Sequence, residues 1–132
     1  MILIINTANE KYLEVILADS KDNFKIEKVE GNRKQAEQLL STIKDVLSDL
    51  DKEVSDITGI GVVSGPGGFT ALRIGVTTAN VLAHALHIPV VGLTLADFSD
   101  NNDLVSMVFD KLEKTEAGEI VMPEYGKEPN IT

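Results

Sequence analysis

The 132-residue chain has no cysteine, no tryptophan, only 4 prolines and an aromatic content of 5%. Without cysteine there is no disulfide framework, no thiolate nucleophile and no thiolate metal site. That fits a reducing compartment. Basic residues are scarce: 12 lysines and arginines face 21 acidic side chains, for a formal net charge of −9 at pH 7. Such a chain repels a phosphate backbone, so net charge gives no support to direct binding of RNA or DNA. Long hydrophobic runs are also missing. Met1-Ile2-Leu3-Ile4-Ile5 has no basic segment before it and ends at polar Asn6, which is too short for a signal core or a membrane span. The expected location is cytoplasmic, with no membrane partner.

What remains is an ordinary globular composition, 43% apolar and 25% charged, in a chain long enough for one domain. Ile2 to Ile5 reads as a buried strand. Tyr12 to Ala18 and the run containing Phe24, Ile26 and Val29 read as a second and third, joined by a hairpin loop over Asp19 to Asn23. A first helix is signalled by Asn32 as cap, with Gln35 as its capping-box partner, and by Ala36, Leu39, Leu40, Ile43, Val46, Leu47 and Leu50 at helical spacing. Gly59 to Ser64 reads as a buried strand. A second helix starts near Phe69 or Thr70 and ends near Leu86 or His87, before Pro89. Val90 to Leu93 is a further strand. The order β-β-β-α-β-α-β predicts an α/β domain with a mixed central sheet. Thr94 and Asp97 are expected to cap a short helical turn, Leu104 to Phe109 to form a strand, and Glu119 to Met122 another before a polar tail.

The most informative segment is Ser64-Gly65-Pro66-Gly67-Gly68-Phe69-Thr70-Ala71-Leu72-Arg73-Ile74-Gly75. Gly65, Gly67 and Gly68 allow a tight reversal and close approach of another backbone or a ligand, and the helix that follows begins with free N–H groups. No lysine occurs between Lys52 and Lys111, which excludes a P-loop, and Thr70 breaks the dinucleotide-binding pattern. Two readings stand: a structural turn shaping a partner surface, and a weak anion or nucleotide site at Gly65, Gly67 and Gly68. Along the helix, Ala71, Gly75, Ala79 and Ala83 form a stripe of small residues that permits close packing against the rest of the chain or against a partner helix. Arg73 reads either as a bridge to a carboxylate or as a solvated side chain.

His84 and His87 near the end of this helix lack a third metal ligand and suit a helix C-terminus. Ser64 is not in a Gly-x-Ser-x-Gly elbow, because position 62 is valine. Asp49, Asp51 and Glu53 read as a solvated connection.

Gly65 to Gly75 resembles the Gly-Pro-Gly-Ser-Phe-Thr-Gly-Leu-Arg-Ile-Gly of the TsaB/YeaZ family, and the likeness continues through Ala79, Leu82, Ala83 and Leu86 to Ile88-Pro89-Val90-Val91-Gly92. Ile4-Ile5-Asn6-Thr7 is similar to that family's Ile-Asp-Thr, with Asn6 for the aspartate. Gln35-Ala36-Glu37 is similar to its His-Ser-Glu, and Pro123-Glu124-Tyr125 to its Pro-x-Tyr. The resemblance implies an actin/sugar-kinase-like, ribonuclease H-like fold, with an N-terminal domain over residues 1–98 and a reduced C-terminal extension over 99–132 packed on it.

The resemblance also implies a non-catalytic scaffold that needs no cofactor. It would support TsaD, the threonylcarbamoyltransferase acting on adenosine 37 of tRNA, with TsaE joining the assembly and tRNA met only indirectly. The implied partner surface is Leu39, Ile43, Leu72, Arg73, Val76, Ala79 and Ala83, and in the absence of TsaD the same helices could support a homodimer. Enzymes of this fold carry a carboxylate where Asn6 stands, and an amide is a poor general base. A small phosphotransferase or hydrolase is therefore the alternative, and a free-standing regulatory subunit the third reading.

Overall fold

The computed structural model describes residues 1–9, 11–30 and 35–125. Strands β1 (Ile2–Asn6), β2 (Tyr12–Ser20) and β3 (Asn23–Glu30) come first, followed by helix α1 (Gln35–Asp49), strand β4 (Gly59–Gly65), helix α2 (Phe69–Leu86), strand β5 (Val90–Thr94) and helix α3 (Asn101–Leu112). The sheet has five strands in the order β3-β2-β1-β4-β5. The opening meander is antiparallel, Ile4 opposite Ile16 and Ile16 opposite Ile26. The later strands are parallel, Ile4 opposite Gly61 and Val62 opposite Gly92. Parallel neighbours require crossovers, and α1 and α2 supply them.

β1 is central and buried throughout, which is why its sequence is a continuous apolar run rather than an alternating one. Its side chains still alternate in direction. Leu3 and Ile5 join a core with Leu39, Ile43 and Val46 of α1 and Val76 and Ala79 of α2. Ile2 and Ile4 join a second core with Leu104, Val105 and Val108 of α3. The sheet is therefore covered by α1 and α2 on one face and α3 on the other.

Leu104 to Phe109 is helical, not a strand. Asp100 caps α3 by accepting a hydrogen bond from the Asp103 N–H at 2.8 Å, and Leu104, Val105 and Val108 then fall on one buried face. Gly61 makes room for this helix, since a β-carbon there would lie 2.7 Å from Val108 Cγ1. Glu119 to Met122 pairs with no strand. The turn between β2 and β3 is tighter than expected, with strand pairing reaching Ser20 and Asn23. The cap expected at Asn32, with the Gln35 side chain, lies outside the described residues.

α2 runs from Phe69 to Leu86 and ends on His87 in the left-handed conformation (φ 57°), whose N–H meets the last carbonyls. Thr94 and Asp97 form the expected capping box of a 3-10 turn over Leu95–Asp97. The Asp97 carboxylate accepts from the Thr94 N–H at 2.8 Å, and this backbone hydrogen bond holds its carboxyl below the usual value of 3.8. A folded-state value below the unfolded one means that its stabilising effect is present above the unfolded value and fades as pH falls through the folded one. An NMR titration should place the Asp97 midpoint below the ordinary aspartate value, and a midpoint at that ordinary value would remove the capping box. Among the described residues no helix is long and apolar enough to cross a membrane.

Candidate functional site

Every functional expectation falls on the C-terminal ends of β1 and β4 and on the two helices that follow. At the end of β1, Asn6 is buried and its side-chain oxygen accepts from the Ala8 N–H at 3.0 Å. The carboxamide closes the strand's own turn. Ser64 is equally buried at the end of β4 and donates its hydroxyl hydrogen to the Leu93 carbonyl at 3.3 Å. Neither is poised as a base or nucleophile. His84 and His87 are exposed near the far end of α2, and no cluster of metal-ligating side chains occurs among the described residues.

The glycine-rich turn serves the chain's own packing. Gly65 has φ 140°, a conformation that disfavours a side chain, and any β-carbon there would collide with the carbonyl oxygen of Glu124. At Gly67 a β-carbon would stand 2.6 Å from the carbonyl oxygen of Ala8. Gly68 is the extended N-cap of α2, and its carbonyl accepts from the Leu72 N–H at 2.9 Å. Two of the three glycines thus face backbone oxygens, the wrong partners for an anion.

Gly75 lets α2 settle onto the end of β1, where Thr7 fills the space that a β-carbon would need. The Thr7 hydroxyl is buried there and finds no hydrogen-bond partner among the described residues. Gly75→Val should therefore lower stability by roughly 2–4 kcal/mol, an overpacking cost increased by its β-branch. Denaturant unfolding measures it, and a loss below about 0.5 kcal/mol would contradict this packing.

Six residues of the expected partner surface lie inside the molecule. Leu39, Ile43, Val76, Ala79 and Ala83 belong to the core between helices and sheet, and Leu72 to the opposite core. The small-residue stripe brings α2 close to its own sheet, so these side chains are unavailable to a partner in this fold. Arg73 alone of the set is exposed.

The outward side of the same helices carries a different set. Phe69, Arg73, Thr77 and Val81 recur at helical spacing and are all exposed, Phe69 at 51% and Val81 at 60%. Leu40 of α1 is 48% exposed. Between the helices, Ala36, Phe69, Thr70, Arg73, Ile74, Thr77 and Thr78 line a groove of about 380 Å³. Its one charged lining residue, Arg73, holds its guanidinium 5.4 Å from the Phe69 ring centroid, and neither ion pair among the described residues uses it. The spacing of Phe69, Arg73, Thr77 and Val81 is readable from sequence, yet α2 is apolar around most of its girth, and spacing alone does not say which of its stripes is buried.

A mixed sheet in this order, with two crossover helices on one face and one on the other, defines an α/β domain of the ribonuclease H-like, actin-like class. The profile of TsaD, tRNA N6-adenosine threonylcarbamoyltransferase, matches residues 28–97. The TsaB biosynthesis protein of Escherichia coli is 27% identical over 133 aligned positions, covering 98% of this chain and 56% of that protein. The threonylcarbamoyltransferase of Geotalea daltonii is 44% identical over 63 positions, covering 48% of this chain and 18% of the enzyme. The solved structure of YeaZ from Pseudomonas aeruginosa superposes with a TM-score of 0.64 at 27% identity, over 70% of this chain and 43% of that one. The chain belongs to this threonylcarbamoyltransferase family, on its TsaB/YeaZ branch. It spans little more than half of that TsaB relative and less of the other two.

Proposed function

We propose that the chain is a non-catalytic scaffold subunit of tRNA threonylcarbamoyladenosine synthesis, acting in the cytoplasm by docking TsaD on the outward groove between α1 and α2. The observation that carries this reading is the groove itself, an exposed and mostly uncharged surface with one cation, on a chain whose net charge is −9. Aromatic and arginine side chains at the centre of such a surface are typical docking anchors. The partner is expected to bring an apolar helix face into the groove and a carboxylate to Arg73, a bidentate pairing that lysine would not reproduce.

A small-molecule phosphotransferase or hydrolase finds less support. The Asn6 carboxamide is engaged by the Ala8 N–H, the Ser64 hydroxyl by the Leu93 carbonyl, and the glycine-rich turn by backbone carbonyls. A homodimer through the same groove would place two Arg73 side chains near one another, which disfavours it.

Co-expression with TsaD from the same genome tests the proposal. The two chains should co-purify, and deleting the gene for this chain should lower threonylcarbamoyladenosine in tRNA. Failure to co-purify together with unchanged modification would overturn the scaffold reading, and ATP turnover by the purified chain alone would favour the enzyme.

A further inference from the structure

Residues 120–125 cross the end of the sheet beside α2 and are held as a bound peptide is held. Asn80, midway along α2, reads the backbone of Val121 twice: its amide donates to the Val121 carbonyl at 2.9 Å and its carbonyl accepts from the Val121 N–H at 2.9 Å. The Glu124 N–H donates to the Ser64 carbonyl at 2.7 Å. Two side chains point inward. Val121 occupies the space above Gly92 of β5, where a β-carbon would stand 2.7 Å from its Cγ1. Tyr125 stacks on Phe69, ring centroids 4.5 Å apart and planes 20° from parallel. Ile120 and Met122 face outward, 70% and 67% exposed.

Backbone hydrogen bonds give a peptide its affinity and pockets for alternate side chains give it specificity. Here the receiving side is built from rigid elements: a side chain in the middle of a helix, a glycine in a buried strand, a strand end and the first residue of α2. We propose that this cleft, between α2 and the C-terminal ends of β4 and β5, is a peptide-binding site. Its ligand class is an extended segment with a β-branched residue followed, four positions later, by an aromatic one, and residues 121–125 fill it in cis. The bound aromatic residue sets the Phe69 ring, so occupancy of the cleft also shapes one wall of the groove. The inference is independent of which partner uses that groove.

The test uses the full chain carrying Val121→Asp and Tyr125→Ala, which releases the segment and leaves the cleft intact. With fluorinated phenylalanine incorporated, the Phe69 resonance, assigned by its loss in Phe69→Leu, should move in the released chain. The free peptide Glu-Ile-Val-Met-Pro-Glu-Tyr should then return it to the wild-type position, with half-saturation below about 1 mM, the effective concentration that a short tether provides. Adding Asn80→Ala should weaken this rescue roughly tenfold. Peptides carrying the Val121→Asp or Tyr125→Ala change should not rescue.

A folded released chain whose resonance the peptide leaves unmoved would overturn the proposal, as would equal rescue by the altered peptides. Should the double variant not fold, hydrogen exchange on the otherwise unaltered chain decides. Asn80→Ala should then speed exchange at Val121 and Glu124 about tenfold while the interior amides of α2 keep their protection, and unchanged exchange at both would overturn it.

Discussion

Replacing Ala79 by glutamate is expected to abolish the cooperative fold rather than to trim a surface. Ala79 is fully buried, packed with the side chains of α1 and the sheet. A carboxylate there has no counter-charge, and the small residue leaves no volume for it. Burying an unpaired polar or charged group costs several kcal/mol and overpacking adds about 1–3 kcal/mol. Together these approach the roughly 5–15 kcal/mol that holds a whole domain. Thermal unfolding followed by circular dichroism should show the melting temperature falling by more than about 15 °C, or no cooperative transition. A change below about 5 °C would place Ala79 on the surface, as the partner-helix reading of the stripe requires. Lost partner binding by this variant therefore says nothing about an interface.

Two positions earlier, Thr77→Glu should do the opposite. Thr77 is exposed and lines the groove, so stability should stay within about 0.5 kcal/mol. The new carboxylate stands one helical turn beyond Arg73, in position to pair with it, which removes the one cation offered to a partner. It also sets an acidic group in the middle of an apolar contact on an already acidic chain. Truncating or blocking one member of a buried charge pair costs about 2–5 kcal/mol, so if TsaD docks in the groove its affinity should drop at least about thirtyfold. Isothermal titration measures it, and a loss below about threefold would remove the groove from the interface.

Ala79 and Thr77, two positions apart on one helix, mark how far the sequence could be read. β1, β4, α1 and both ends of α2 were legible because each has an unambiguous local signal: a continuous β-branched run, an apolar repeat at helical spacing, and Pro89 behind His87. α3 was misread because Leu104-Val105-Ser106-Met107-Val108-Phe109 is a short apolar run that suits a buried strand as well as a helix. The deciding signal, Asp100 capping the Asp103 N–H, lay just before it.

The helices of the candidate site were found, but their outward face was not. Close approach explains the small residues, and the neighbour approached is Thr7 and the sheet rather than another molecule. Sequence periodicity gives the stripes of a helix; it does not say which stripe meets the core when more than one is apolar. The role of Asn80 was not legible at all, since it depends on a backbone segment 41 residues away, and no local pattern announces such a contact.

The most direct test of the proposed docking face is hydrogen exchange on the wild-type chain with and without saturating TsaD. Docking in the groove should add protection along α1 from Ala36 to Leu40 and along α2 from Phe69 to Val81, with α3 and the β3 edge unchanged. Protection confined to α3 or to β3, with the two groove segments unaffected, would contradict it.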